Sequence, residues 1–151
     1  MTTALTAEPN PIAVELSQEI ESAHRAISQN KASLLSAIQL FDSLELANEC
    51  GARTTAQFLI RRLGVSASTA HEYVSVAHRL APFTYLQEQF STGAINYSVV
   101  RLLLKYLTPE NERELVELAL RLGYHELEVA LAGEAQDNED ADDDPDYSLR
   151  L

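Results

Sequence analysis

The apolar residues of this chain recur at three- and four-residue intervals, and nowhere do apolar and polar residues alternate with period two over a useful length. That pattern constrains the fold more than any other feature of the sequence. A period of 3.6 puts such residues on one stripe of a helix, whereas a half-buried strand needs a period of two. The fold class expected is all-α, a multi-helix bundle of about seven or eight short helices joined by short connections.

Capping and stop residues divide the pattern into elements. Asn10 followed by Pro11 reads as a cap and first-turn pair, with Ile12, Leu16, Ile20 and Ile27 spaced along a first helix that ends near Gln29. A second helix is expected from Asn30, carrying Leu34, Leu35, Ile38, Phe41 and Leu44, and closing at Cys50-Gly51 as the antiparallel partner of the first. Thr54 or Thr55 caps a third that stops at Gly64. Ser66 caps a fourth with Ala70, Tyr73, Val74 and Ala77 on its apolar face. After Pro82 come a short helix around Tyr85 to Phe90, the turn "STGAIN", and a helix capped by Asn96 that bears Val99, Val100, Leu103 and Leu104. Thr108 and Pro109 read as the cap and first position of the next, which reaches Gly123. A last helix is expected from about His125 to Ala132.

With 46% apolar residues in 151, the chain can bury the core of one domain. The expected division is a disordered N-terminus over 1–11, a helical domain over 12–132 and an acidic disordered tail over 133–151, since "EAQDNEDADDDPDYSLRL" is dense in like charge. One Cys excludes an internal disulfide and a CxxC site, and fits a reducing compartment. The start "MTTALTAEPNP" has no basic region before an apolar run, and no stretch of about 18 apolar residues occurs, so a cytoplasmic protein without a membrane partner is expected.

The formal charge of -12 is unevenly spread. Residues 53–108 hold six bases against two acids, whereas residues 1–52 hold seven acids and two bases, and residues 133–151 eight acids and one base. The basic block contains "RRLGVSASTAHEYVSVAHRL", residues 61–80, which reads as the end of one helix, a three-residue turn and the start of another. Helix-turn-helix DNA-binding units are written this way. An echo lies 30 residues on, where Val65-Ser66 answers to Ile95-Asn96, Ala70 to Val100, Tyr73 to Leu103 and Val74 to Leu104. Two such units in tandem is one interpretation, and a coincidence of capped helices in a bundle is the other.

From "LLSAIQLFDSL" through "GARTTAQFLIRRLGVSASTAHEYVSVAHRL" and "FSTGAINYSVVRLLLKYLTPEN", the chain resembles the actinobacterial 13E12-repeat family, also known as domain of unknown function 222. The resemblance covers roughly residues 30–132 and lies in the order of its elements. It implies a helical module of the kind that stands in front of HNH endonuclease domains. This chain has only His24, His71, His78 and His125, and none in its last 26 residues. An HNH site needs imidazoles to hold a divalent cation and activate water, so nuclease activity does not carry over.

In a helix-turn-helix, residues near the start of the second helix reach the base edges; here these are Ser66, Ser68, Thr69 and Glu72, with no Arg or Lys to read guanine. Phosphate contact is better provided for, by Arg53, Arg61, Arg62, Arg79, Arg101 and Lys105 together with the positive helix start at Ser66. Arg101 and Lys105 share a face four residues apart, Glu72 and Arg79 can neutralise each other seven apart, and of the neighbours Arg61 and Arg62 one is expected to lie against the bundle. Weak, non-specific, salt-sensitive binding to DNA is the expectation. The acidic tail could compete for the same basic surface.

His71 and His78 are seven apart on one helix, too far to share a metal, and Cys50 has no base near it in sequence. No nucleophile-elbow or phosphate-binding glycine pattern occurs, so neither a cofactor, a small-molecule substrate nor a catalytic set is expected. The alternative to DNA association is a helical protein-interaction or dimerisation module, in which the turn at "LGVS" only packs helices.

Overall fold

The stretch expected to form an antiparallel pair is instead one helix. A computed structural model of the chain describes residues 10–142. In it α1 runs unbroken over Pro11–Ser43, 33 residues. Between Ile12 and Ser43 there is no Gly or Pro to stop it, and Asn30 alone cannot, since its preference against helix amounts to a few tenths of a kcal/mol, about 0.6. Asn10 caps it by accepting from the Ile12 N–H at 2.8 Å, with Pro11 at its first position, so helix already occupies the end of the segment expected to be disordered. Gly51, expected to close this helix, closes the 3-10 turn Asn48–Cys50 instead, with φ 77. Glu45, at φ 54, makes the earlier bend.

Six further α-helices follow: α2 Thr55–Leu63, α3 Ala67–Leu80, α4 Thr84–Ser91, α5 Tyr97–Leu104, α6 Glu112–Arg121 and α7 Tyr124–Asp142. Among the described residues there is no strand, and the architecture is the all-α bundle that the periodicity implies. Three of the expected caps form as read: Thr54 accepts from Gln57 N, Ser66 from Thr69 N and Asn96 from Val99 N, at 3.0, 3.1 and 3.0 Å. Thr108 does not cap a helix. It bonds reciprocally with Asn111, whose amide also donates to the Tyr106 carbonyl, and that closed turn delays α6 to Glu112.

The core forms around α5, four of whose eight residues are buried: Val100, Leu102, Leu103 and Leu104. Leu35 and Ile38 of α1, Leu59 of α2, Ala70, Val76, Ala77 and Leu80 of α3, Leu86 and Phe90 of α4, Leu115 and Val116 of α6, and Leu127 and Leu131 of α7 complete it. Only the second half of α1 enters this core. Ile12, Leu16, Ile20 and Ile27 lie exposed.

The last helix continues ten residues beyond Ala132, to Asp142. Glu134, Ala135 and Gln136 are good helix formers and the next Pro is Pro145, so Gly133 alone does not end it. The remaining expectations of disorder, for 1–9 and 143–151, lie outside the described residues.

Candidate nucleic-acid interface

Two residues set the entry to the two-helix unit. Gly64 closes α2 with φ 70, a left-handed conformation that costs a side-chain-bearing residue about 1 kcal/mol, and Ser66 then starts α3 from extended backbone. The Ser66 hydroxyl donates to Thr69 Oγ1 at 3.0 Å and lies 3.2 Å from Ser68 Oγ, as well as accepting the Thr69 N–H. The second unit begins alike: Gly93 has φ 84, Asn96 is extended, and Ala70 and Val100, each four residues after its cap, are both completely buried. The 30-residue echo is therefore a repeated way of starting a helix. Its continuation differs, because α3 has 14 residues and α5 only eight.

The six cations of the basic block do not share one surface. Arg53, Arg61 and Arg62 are exposed at or on α2. Arg61 turns back to donate to the Gly51 carbonyl at 3.0 Å, toward the N-terminal end of α2, while Arg62 lies over the Phe58 ring at 5.1 Å. Both neighbours reach solvent, contrary to the expectation that one would lie against the bundle. Charge spread over a planar guanidinium lets Arg62 rest on an aromatic face without losing water at its edge.

Arg79 and Lys105 form a second locus at the other end of α3, where Arg79 donates to the Leu104 carbonyl at 2.9 Å. Thirteen residues separate Ser66 from Arg79, so this second locus lies about 20 Å along α3 from its start. Arg101 belongs to neither. Its Nε sits 3.1 Å from Glu72 Oε2, so Glu72 is paired across to α5 and not with Arg79. The expected Arg101-Lys105 patch is correspondingly weakened.

A cluster that the sequence pattern did not indicate surrounds this pair. Tyr97 donates to the same Glu72 oxygen at 2.9 Å, and Lys31 of α1 donates to Tyr73 at 2.7 Å while lying over the Tyr73 and Tyr97 rings at 4.6 and 4.9 Å. Burial, then the hydrogen bond to Glu72, raises the Tyr97 phenol above its ordinary range. The cluster ties α1, α3 and α5 into one rigid seam. Its members are dispersed over 70 residues of sequence, and only the i, i+4 spacing of Tyr97 and Arg101 hinted at it.

His71 is exposed, and His78 contacts Asp42 of α1 at 2.6 Å, with Thr55 donating to the other Asp42 oxygen at 2.6 Å. Asp42 is held below the usual carboxylate range, first by the Thr55 hydroxyl and then by His78. This Thr-Asp-His chain clasps α2 and α3 to the end of α1. Among the described residues no three His, Cys, Asp or Glu side chains gather as a metal site. An open groove of about 720 Å³ between α1, α3 and α4 has no Arg or Lys in its lining, whereas a smaller hollow of about 320 Å³ is lined by Arg53 together with Asp42 and Glu45. No helix among the described residues is long and apolar enough to cross a membrane.

The chain matches the model of a domain of unknown function, DUF222, over residues 14–136, while no curated protein and no solved structure matches it. That match begins near the start of α1, takes in both capped two-helix units and ends within α7, and on this ground the chain belongs to the DUF222 family.

Proposed function

We propose that this domain associates with DNA through phosphate contacts and carries no catalysis of its own, the part of a DNA-holding module such as those that precede HNH endonucleases in the family it resembles. One observation carries the reading. Arg53, Arg61 and Arg62 stand exposed at or on α2, the helix that leads into the exposed start of α3, and among the described residues no carboxylate forms an ion pair with any of them. Three guanidiniums without an ion-pair partner, together with the helix start that follows them in the chain, suit the oxygens of a phosphate backbone. Arg79 and Lys105 supply a second anchor about 20 Å along α3, while the residues between offer serine, histidine and a neutralised Glu72. Positioning on the backbone is thus better served than base readout.

The test is an anisotropy titration of a labelled duplex across a salt series. The full chain is expected to bind at low salt, with affinity falling steeply as salt rises. Replacing Arg53, Arg61 and Arg62 by Ala should weaken binding and make the salt slope shallower by about one for each phosphate that is no longer neutralised, with little effect from Arg101→Ala. Absence of binding at low salt, or an equal weakening by Arg101→Ala and Arg62→Ala, would overturn the proposal.

A further inference from the structure

α3 and α5 meet along a seam whose only carboxylate is Glu72, since neither helix carries another Asp or Glu. Glu72 and Arg79 stand two turns apart on the face of α3 that meets α5, the first held by side chains of that helix and the second bonded to its Leu104 carbonyl. On α5, Arg101 precedes Lys105 by one turn. Arg79, Arg101 and Lys105 are all exposed, and among the described residues Glu72 is the one carboxylate that pairs with any of them.

The two groups that hold the Glu72 carboxylate converge on a single oxygen. Oε2 accepts the Tyr97 hydroxyl at 2.9 Å and lies 3.1 Å from Arg101 Nε. Other contacts fix both groups in place. The Tyr97 ring meets Tyr73 edge-on at 6.0 Å, stacks on Phe90 at 6.5 Å and carries the Lys31 ammonium at 4.9 Å, while Arg101 lies over the same ring at 5.8 Å. Glu72 itself has 34% of its side chain exposed, and an ion pair that water reaches is a weak one. A hydroxyl and a guanidinium aimed at one point suit a phosphate oxygen as well as a carboxylate oxygen.

We infer that Tyr97 and Arg101 form a phosphate seat which Glu72 occupies as an internal competitor, keeping that seat out of DNA contact. The inference rests on the phosphate-contacting reading above and concerns its regulation. Along α3, Glu72 lies about 9 Å from Ser66 and about 10 Å from Arg79, so the seat falls between the two cation loci. Opened, it adds a cation and a hydroxyl one turn from Lys105. Closed, it leaves Arg101 silent.

The test is a salt series of anisotropy titrations with a labelled duplex on the full chain, on Glu72→Gln, on Arg101→Ala and on the double variant. Gln keeps an oxygen for the Tyr97 hydroxyl and loses the charge that holds Arg101. Glu72→Gln is expected to bind roughly tenfold more tightly than wild type at about 0.1 M salt, with a salt slope steeper by about one, as one more phosphate is neutralised. In the double variant that gain should vanish. A gain that survives Arg101→Ala comes from the lost negative charge alone and overturns the inference, as does an unchanged or lower affinity of Glu72→Gln; in either case binding by the wild-type chain leaves the DNA reading standing. Absence of binding at low salt by both the wild-type chain and Glu72→Gln overturns that reading and the inference with it.

Discussion

Gly93 combines a local and a distant demand in one residue. Its φ of 84 belongs to the left-handed region, and a Cβ there would meet Arg25 Cγ and stand 3.0 Å from the Arg25 carbonyl oxygen. Gly51 and Gly64 share the conformation but have open space around them. Gly93→Ala is therefore expected to cost about 2–4 kcal/mol, against about 1 for Gly64→Ala, as measured by urea denaturation. Equal costs would show that α1 does not approach the turn. Asp42 makes a prediction in pH. Its pKa is depressed in the folded chain, so its contribution is present above the ordinary carboxylate range and is lost as pH falls through the folded value. Thr55→Val, which keeps the shape of a residue only 4% exposed, removes the largest cause of that depression. The Asp42 titration followed by NMR should then move up toward the ordinary value and acid unfolding begin at higher pH, with a stability loss on the order of 1 kcal/mol, since both Asp42 and His78 are partly solvated. An unmoved titration would sink the assignment. Gly93 was legible as part of a turn, but its contact with Arg25 was not, because no local rule joins residues 68 positions apart.

Capping chemistry made the elements readable. Asn10, Thr54, Ser66 and Asn96 all accept the backbone N–H expected of them, since a cap is decided within three residues. Where the fold departs from the local pattern, a longer-range balance decides. Asn30 lies inside α1 because helix propagates through one unfavourable residue when Lys31, Leu34 and Leu35 beyond it are held by the core. α7 passes Gly133 with no Pro in the sequence until Pro145. Ser66→Ala should cost about 1 kcal/mol by removing the acceptor for Thr69 N, whereas Ser68→Ala, exposed and touching only the Ser66 hydroxyl, should cost a small fraction of that. Paired denaturation curves measure the difference, and equal costs would mean that Ser66 does not act as the cap.

On the scale of the molecule, the all-α class and the basic middle block could be read from spacing and composition, because both are sums over many residues. Which cations remain free could not. Arg101 faces Glu72 and Arg79 faces the Leu104 carbonyl because α3 lies against α5, a packing that no count of charges contains. The Lys31-Tyr73-Tyr97 cluster escaped for the same reason, its members coming from three helices. α1 is about 50 Å long, its second half embedded in the core and its first half exposed. It therefore works as a shaft with a keyed end. Each residue added to its middle would turn the outer half by about 100° and advance it by about 1.5 Å, so that half is held at a set angle to the two-helix unit. Length changes that preserve this angle come in multiples near seven or eleven residues, and a single-residue change would point Ile12, Leu16 and Ile20 elsewhere while leaving the core untouched.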